Sequence, residues 1–299
     1  MGMEDFSQEH VPTFTDFELL DTGDGYRLER WGSYRLARPD PQIIWRRHLP
    51  DSEWNKAHAV YKAVGDKGGW NINAKIPGYW DVGYTPPGSA KGVSLRARLT
   101  PFKHTAIFAE QAANWDWMAN VLRGKKNRKI LNLFGYTGAA TVVLTSLGHN
   151  VTHVDASKPA IGWAKENQAI SSLPPDSIRW ILDDAQKFVM RELKREQRYD
   201  GIIMDPPAFG HSPDGRTWKF NNDLPYLLGD CVKLLSPDAD FLLINGYATN
   251  SSAIALKNLL EDTLDGRKGA LQYGELCLQQ HDKRLISTGI FARWSKGGE

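Results

Sequence analysis

The pattern of apolar and polar residues changes along the chain near residue 98. Residues 1–98 contain short alternating stretches such as YRLERWGSYRLARP and WNINA, separated by the turn-forming segments PGYWD and TPPGSAKG. Such alternation predicts small β-structure. VSLRARL (93–99) adds one more strand, and FAEQAANWDWMANVLRG (108–124) has helical spacing that ends at Gly124. We therefore predict a small β-rich region over residues 1–98 and a second domain over residues 99–299.

From Lys129 onward, strand-like and helix-like segments alternate regularly. The strand-like segments are KILNLF, NVTHVDAS, IRWIL, YDGIIMD, ADFLLIN, LQYGELCLQQ and LISTGIFARWS. The helix-like segments are TGAATVVLTSLG, KPAIGWAKENQAIS, DDAQKFVMRELKREQ, DLPYLLGDCVKLLS and SSAIALKNLLED. This order predicts an α/β fold with a doubly wound parallel sheet. Ligands of such sheets bind beyond the carboxyl ends of the strands, where the strand order reverses.

The first loop at that edge, in ILNLFGYTGAAT, contains two glycines. Gly135 and Gly138 allow the backbone to turn tightly and to approach a ligand. The next helix begins at Thr137–Gly138 with the positive end of its dipole, which would stabilise a carboxylate, so we include Thr137 among the predicted cofactor-binding residues. Asp155 ends the next strand about 20 residues later, where an acidic side chain can bind ribose hydroxyls.

Two further loops at the same edge are acidic. Asp183-Asp184 follows IRWIL, and a carboxylate there could accept a hydrogen bond from an adenine amino group. Asp205-Pro206-Pro207, followed by Ala208 and Phe209, ends the fourth strand, and the two prolines fix a rigid, extended backbone after the carboxylate. Glycine turns and aspartate caps are common one by one. Their coincidence at one edge of a sheet favours a ligand site.

The spacing of the glycines discriminates between cofactors. A dinucleotide fingerprint requires G-x-G-x-x-G, so that backbone amides can hold a pyrophosphate, whereas this chain has G-Y-T-G-A-A. A nicotinamide enzyme is therefore the weaker interpretation. A ligand with an amino-acid carboxylate, a ribose and an adenine, but no phosphate, matches the loops in order. The sequence thus predicts S-adenosylmethionine as cofactor.

The segments NLFGYTG, HVDAS, AKENQ, DDAQKF and IIMDPPAFG resemble class I methyltransferases, specifically the group that modifies bases of large-subunit (23S) ribosomal RNA. The similarity covers about residues 93–299 and implies a Rossmann-like, mostly parallel sheet with one antiparallel strand near its end. It also implies cofactor contacts. These are Phe134, Gly135, Tyr136 and Gly138 at the methionine end, Asp155 and Ala156 at the ribose, Asp184 in preference to Asp183 at the adenine, and Gln111 from the lead-in helix.

The Asp-Pro-Pro loop predicts how the acceptor is held. Asp205 and the backbone carbonyls around Pro206 can accept a hydrogen bond from an amine and direct its lone pair at the methyl group. Phe209 can stack on a flipped base. We therefore predict Asp205, Pro206, Pro207 and Phe209 as the catalytic residues, and a nitrogen of a ribosomal RNA base as the target.

Methylation of carbon 5 of a pyrimidine would require a cysteine nucleophile. One branch of the resembling group carries cysteines after the fifth strand, where this chain has INGYATN (244–250). Cys231 and Cys277 are predicted to be packing residues. Their separation supports neither a disulfide framework nor a zinc site, so no metal is predicted.

Three segments are candidate substrate contacts. The loop GHSPDGRTWKF (210–220) offers Arg216 and Trp218 and has the composition of a lid. Asn245 follows the fifth strand. Arginines and aromatic residues alternate in residues 26–48 and suit contacts with RNA, although a half-exposed sheet with an arginine face would have the same pattern.

Composition and charge narrow the possible classes only slightly. The 299 residues are 41% hydrophobic and carry a net charge of +2 with a pI near 8.4, which does not identify a nucleic-acid binder. Without an apolar run of about 18 residues or a signal-like amino terminus, a cytoplasmic protein without a membrane span is predicted. Two alternatives stay open: a methyltransferase acting on a small molecule or a protein, and a binding protein that keeps the cofactor without turnover.

Overall fold

The structure is a computed structural model that describes residues 6–10, 14–64, 67–211, 217–264 and 266–297. The strands are β1 (Phe6–His10), β2 (Phe17–Gly23), β3 (Tyr26–Trp31), β4 (Tyr34–Pro39), β5 (Ala59–Val64), β6 (Lys67–Ile72), β7 (Trp80–Tyr84), β8 (Val93–Ala97), β9 (Lys129–Leu133), β10 (Asn150–Asp155), β11 (Ile178–Leu182), β12 (Gly201–Met204), β13 (Phe209–His211), β14 (Thr217–Lys219), β15 (Phe241–Gly246), β16 (Ala270–Gln279) and β17 (Leu285–Ser295). The helices are α1 (Asp51–Trp54), α2 (Ala112–Val121), α3 (Ala139–Ser146), α4 (Lys158–Ile170), α5 (Ala185–Lys194), α6 (Phe220–Leu234) and α7 (Ala253–Leu264), with a 3-10 turn at Ala109–Gln111 before α2.

The central sheet has eight strands in the order β1-β16-β17-β15-β12-β9-β10-β11. β17 is antiparallel to both of its neighbours, and the other neighbouring pairs are parallel. The predicted α/β fold with one antiparallel strand near its end is confirmed. The strand order reverses between β9 and β12, and a crevice therefore opens at their carboxyl ends.

Residues of the middle strands alternate between two cores because helices cover both faces of the sheet. Ile203 and Leu243 pack on the face that carries α2 and α3, whereas Ile202 and Leu242 pack on the face that carries α5, α6 and α7. β15 is buried along its whole length. A Cβ atom at Gly201 would lie 2.4 Å from the Phe241 ring, so only glycine fits the start of β12.

The amino-terminal region forms the predicted β-structure, but its residues do not all stay together. A five-stranded sheet has the order β2-β3-β4-β5-β6, and β7 pairs with β8. β1 instead lies beside β16 in the central sheet, with Phe6 opposite Tyr273. Trp31 and Leu95 share one apolar core with residues of α2 and α3. The five-stranded sheet and the central sheet therefore contribute to one apolar core, and a domain boundary at residue 98 stays a prediction.

The loop predicted over residues 210–220 contains regular secondary structure. β13 and β14 pair as an antiparallel hairpin, and α6 begins at Phe220, three residues before the predicted start. The Lys219 amide donates a hydrogen bond of 2.7 Å to the Asp223 carboxylate, which stabilises the first turn of α6. None of the described helices is long and apolar enough to span a bilayer.

Candidate active site

A cavity of about 870 Å³ opens at the carboxyl ends of β9, β10, β11, β12 and β15. The segment that precedes α2 and the strands β16 and β17 complete its walls. Most of the predicted site residues meet there. They are Gln111, Phe134, Tyr136, Asp155, Ala156, Asp183, Asp184, Asp205, Pro206, Pro207, Phe209, Trp218 and Asn245. Arg216 lies outside the described residues.

The turn between β9 and α3 has an unusual backbone. Phe134 and Tyr136 have φ values of 57° and 49°, in the left-handed region that side chains other than glycine rarely adopt, and Gly138 has a φ of 79°. Two left-handed residues with side chains cost about 1–2 kcal/mol each. Because the Tyr136 amide donates a hydrogen bond of 2.8 Å to Asp155 Oδ2, the neighbouring strand helps to hold this conformation.

The two glycines of the turn are required by packing inside the protein. A Cβ atom at Gly135 would lie 2.4 Å from the imidazole of His153, and one at Gly138 would lie 2.8 Å from Ala164 Cβ. Neither glycine lines the large cavity; both line a narrower adjoining cavity of about 60 Å³. The tight turn agrees with the prediction, but a close approach of these glycines to a ligand stays a prediction.

Thr137 lines the same narrow cavity and not the large one. Its hydroxyl donates a hydrogen bond of 2.7 Å to the Ala106 carbonyl, and its own carbonyl accepts one of 2.7 Å from the Asn167 amide. The side chain therefore attaches α3 to the segment before α2. Because its hydroxyl proton is already donated, it is not available to a cofactor in this conformation.

Asp155 ends β10 with its carboxylate in the cavity. Oδ2 accepts from the Tyr136 amide, and Oδ1 accepts a hydrogen bond of 2.8 Å from the Ser157 amide. Burial raises the pKa of Asp155, and the two backbone donors oppose that shift. Each oxygen keeps a lone pair, so the carboxylate can still accept bonds from two adjacent hydroxyls.

The two aspartates after β11 have different hydrogen-bond and ion-pair partners. Asp184 is the N-cap of α5, since Oδ1 accepts a hydrogen bond of 3.0 Å from the Lys187 amide. Asp183 Oδ1 accepts a hydrogen bond of 2.8 Å from the Asp184 amide, and its other oxygen forms an ion pair with Arg191. Both side chains line the cavity. The structure therefore gives no preference for Asp184 over Asp183 as the partner of an adenine.

Asp205 differs from these three carboxylates. It lines both cavities, and among the described residues its carboxyl has no hydrogen-bond partner. Desolvation and repulsion from the Glu110 carboxylate raise the pKa of Asp205 to about 7. Glu110, which sequence reasoning missed, is 5% exposed and lines the large cavity. Its only signal in the sequence is its position directly before Gln111.

Hydrogen bonds from Trp218 and Phe220 hold the backbone of the loop after Asp205. The Trp218 indole donates a hydrogen bond of 2.7 Å to the Pro207 carbonyl, and the Phe220 amide donates one of 3.1 Å to the Ala208 carbonyl. The Trp218 ring packs on Phe134 with centroids 5.2 Å apart. Trp218, predicted as a substrate contact, thus supports the Asp-Pro-Pro loop, and a direct contact with substrate stays a prediction.

Comparison with known proteins gives this geometry a family. No protein-family model matches the chain. A crystal structure of a SAM-dependent methyltransferase from Agrobacterium tumefaciens is 36% identical, with a TM-score of 0.90, and the match covers 99% of this chain and 98% of that one. The chain belongs to the S-adenosylmethionine-dependent methyltransferases. The predicted class I methyltransferase fold, the S-adenosylmethionine cofactor and the methyl-transfer reaction are thereby confirmed.

More distant matches agree with the methyltransferase fold. SMU.776, crystallised with SAH, has a TM-score of 0.71 at 16% identity, over 94% of this chain and 76% of that one. Ribosomal RNA large subunit methyltransferase K/L of Shewanella frigidimarina is 31% identical over 164 residues, which are 52% of this chain and 21% of the relative. The same enzyme of Shewanella sp. MR-4 is 33% identical over 187 residues, which are 58% of this chain and 25% of the relative. The methyltransferase chain thus spans a quarter or less of these curated relatives.

The hydrogen-bond acceptors and apolar residues of the cavity fit S-adenosylmethionine. Asp155 keeps lone pairs for a ribose diol, and the carboxylates of Asp183 and Asp184 can accept bonds from an adenine amino group. Phe134 and Ala156 provide apolar surface between them. These residues of the methyltransferase would hold the nucleoside part of the cofactor.

Three amides form a buried network beside the cavity of the methyltransferase. Gln111 Oε1 accepts hydrogen bonds of 3.0 Å from Asn114 Nδ2 and 3.1 Å from Asn245 Nδ2. Asn114 also donates to Asn245 Oδ1 at 2.9 Å, and Arg293 donates to Asn114 Oδ1 at 3.3 Å. Asn245 is 2% exposed, so its main contacts are with the protein, and a substrate contact stays a prediction. Asn114 and Arg293 were not predicted.

Aromatic side chains form the outer wall of the cavity. Phe102 is 67% exposed and stacks on His104, with centroids 5.8 Å apart and an angle of 22° between the rings. His104 contacts Phe108 and Tyr136 in turn. Burial, aided by the charges of nearby cations, lowers the pKa of His104 to about 4, so the imidazole is neutral at pH 7. Its Nδ1 accepts a hydrogen bond of 3.3 Å from the Ala106 amide.

The arginine-rich sheet of the amino-terminal region is mostly paired within itself. Arg30 contacts Glu18 at 3.1 Å, Arg35 contacts Glu53 at 2.9 Å and Arg38 contacts Glu29 at 2.7 Å. Trp31, in the same stretch, is fully buried. These three arginines are thus bound to neighbouring carboxylates, and a contact of residues 26–48 with RNA stays a prediction. Within the described residues no cluster of His, Cys, Asp and Glu could hold a metal ion.

Proposed function

We propose that the methyltransferase modifies a nitrogen atom of an RNA base, with ribosomal RNA as the substrate. The observation that carries the proposal is the unpartnered carboxyl of Asp205 at the point where the strand order reverses. It lies in a cavity of about 870 Å³, within the upper range of ligand pockets, which leaves room for an acceptor beside the cofactor. A cytoplasmic location is part of the proposal.

The chain's contribution to the reaction is to hold and orient the acceptor. Bound S-adenosylmethionine supplies an electrophilic methyl group on a sulfonium. Asp205 accepts a hydrogen bond from the acceptor amine, which fixes the direction of the nitrogen lone pair. Pro206 and Pro207 keep the backbone after this carboxylate rigid, and the Trp218 bond to the Pro207 carbonyl braces it. The aromatic wall excludes water around the reacting atoms.

The cysteines support a nitrogen target over carbon 5. Cys231 lies in α6 and is fully buried, and burial raises the pKa of its thiol well above the usual range. Cys277 follows Leu276, which lines the cavity, but Cys277 itself is buried in β16 and is not part of the lining. Burial raises the pKa of Cys277 to about 11. Neither thiol lines the cavity, and neither has the lowered pKa of a nucleophile.

Two observations support RNA as the substrate class. The curated relatives are named ribosomal RNA large subunit methyltransferase K/L. Phe102 and Phe209, at the mouth of the cavity, are 67% and 55% exposed, and exposed aromatic rings beside a deep pocket suit an unstacked base.

A second candidate, methylation of a small molecule, is favoured by the paired arginines of the amino-terminal sheet. With Arg30, Arg35 and Arg38 bound to carboxylates, this sheet offers few cations to phosphates. The two candidates differ in salt dependence. RNA binding should weaken steeply between about 50 and 200 mM salt, whereas a small acceptor should respond little.

The test uses total RNA from cells that lack the protein, incubated with the purified enzyme and labelled S-adenosylmethionine. Mass spectrometry of the digested nucleosides then identifies the labelled product. We expect label on a base nitrogen, and equal labelling by a variant with Cys231→Ala and Cys277→Ala. A 5-methylpyrimidine product, lost in that variant, would refute the nitrogen target. Absence of label in RNA would refute the RNA substrate.

A further inference from the structure

Glu110 is a second acidic side chain in the acceptor part of the cavity. It belongs to the 3-10 turn Ala109–Gln111, outside the strand ends that carry the other acidic residues. Its side chain lines the large cavity although the residue is only 5% exposed. Its Oε2 atom is fully buried, and no described residue forms a hydrogen bond with it. A buried carboxylate oxygen without a donor is costly unless a ligand satisfies it.

Charged and titratable groups face Glu110 from several elements. Asp205 follows β12 and repels it. The guanidinium groups of the amino-terminal sheet attract it, and a further carboxylate on that sheet and a tyrosine after β15 also interact with it. These four residues are Arg27, Arg38, Glu29 and Tyr247. Glu110 thus interacts with two cations of the amino-terminal sheet and with the carboxyl of Asp205.

We propose that Glu110 and Asp205 act as a carboxylate pair that takes up the proton released by the acceptor nitrogen during methylation. The inference rests on the proposed nitrogen target. The acceptor nitrogen forms a bond to the transferred methyl group, and the sulfur retains the electron pair of the bond that breaks. The N–H bond also breaks, its electron pair stays on nitrogen, and the proton passes to Asp205. The pair changes from two negative charges to one.

Glu110 makes Asp205 a stronger base. Two nearby carboxylates in a poorly hydrated site resist double ionisation, so a proton binds to one of them more tightly than to an isolated carboxyl. Desolvation first, and then the charge of Glu110, raise the pKa of Asp205 to about 7. Burial also raises the pKa of Glu110, but Arg27 and Arg38 oppose this and favour its charged form. The cations therefore leave Asp205 as the member that binds the proton.

The first test is the pH profile of methyl transfer to RNA for the wild type and for Glu110→Gln. Transfer requires ionised Asp205, so wild-type activity should fall below pH ~7. Glu110→Gln keeps the shape and removes the charge. We expect the midpoint of the acidic limb to move to lower pH by at least about half a unit, and the plateau at high pH to fall no more than about tenfold. Glu261→Gln, on the surface of α7, is the matched control and should reproduce the wild-type profile.

The second test needs no acceptor. Carbon-13 NMR of labelled aspartate and glutamate carboxyls, in the protein saturated with SAH, should resolve a carboxyl that titrates near pH 7. That resonance should be absent in Asp205→Asn. In Glu110→Gln the midpoint of its titration should move to lower pH. If Glu110→Gln changed neither the midpoint of the acidic limb nor the titration midpoint of the resonance, or changed only one of them, the proposed carboxylate pair would be refuted. If the wild type labels no RNA, the proposed function fails, and the NMR titration still decides whether the pair exists.

Discussion

The two halves of the cavity use their acidic residues in opposite ways. On the cofactor side, Asp155 accepts two backbone hydrogen bonds, and Asp183 and Asp184 each accept one. On the acceptor side, Asp205 has no hydrogen-bond partner among the described residues, and Glu110 has an oxygen without one. Carboxylates that are held by backbone amides keep their position and charge, whereas carboxylates without donors are ready to bind a proton or a substrate donor.

The largest expected effect comes from Asp205→Asn. The amide keeps the shape of the side chain but cannot accept the proton, so kcat should fall about 10²- to 10⁴-fold. SAH affinity, measured by calorimetry, should change little because the cofactor part of the cavity is intact. Loss of SAH binding together with activity would assign Asp205 to the cofactor side and contradict its place on the acceptor side.

Asp155→Ala should have the opposite signature. It removes the acceptor of the Tyr136 and Ser157 amides and the expected ribose contact. We expect SAH affinity to fall at least about tenfold, since a hydrogen bond to a charged group contributes about 1.5–3 kcal/mol. The free energy of unfolding should also fall by a few kcal/mol, because two amide donors lose their partner. Normal SAH affinity in calorimetry would contradict the assignment.

Ionisation of Asp205 should make the stability of the protein depend on pH. The pKa of Asp205 is raised to about 7 in the folded protein from an ordinary value of 3.8. The folded state therefore binds more protons than the unfolded state between these values, and stability falls as the pH rises from about 4 to 7. Asp205→Asn removes this loss. Its melting temperature should exceed that of the wild type above pH 7, and the difference should disappear near pH 4.

The smallest expected effect is that of Trp218→Phe. The substitution keeps a ring against Phe134 and removes the hydrogen bond to the Pro207 carbonyl. We expect a loss of about 1 kcal/mol in the free energy of unfolding by urea denaturation. The methyl-transfer rate should fall only a few-fold, through looser positioning of the Asp-Pro-Pro loop. A complete loss of transfer would indicate that Trp218 contacts the substrate directly.

The sequence predicts the strand ends of the site well because their signals are local. Asp155 ends an apolar strand, Asp183 and Asp205 each come soon after one, and parallel strands bring their carboxyl ends to one edge. Glu110, Asn114 and Arg293 could not be predicted in this way. They come from the segment before β9 and from the last strand, and only the packed fold places them beside the cavity.

The glycines show a second reason why a local pattern does not determine a residue's role. A glycine after a strand is required equally by a ligand that approaches the backbone and by a side chain that packs on it. At Gly135 the neighbour is His153, and at Gly138 it is Ala164, each from an element that follows later in the chain. The sequence contains the glycine in both cases but does not identify its neighbour. The sequence likewise does not identify β16 as the neighbour of β1, because the two strands are far apart in the chain.

That position of β1 has a consequence for folding. Phe6 to His10 are synthesised long before their partners in β16, because β16 follows later in the chain than most of the other elements. The border of the central sheet therefore closes only after β16 has emerged, and until then β1 offers unpaired amides and carbonyls to other nascent chains. Folding of this protein should be slow in that final docking step and sensitive to crowding by copies of itself.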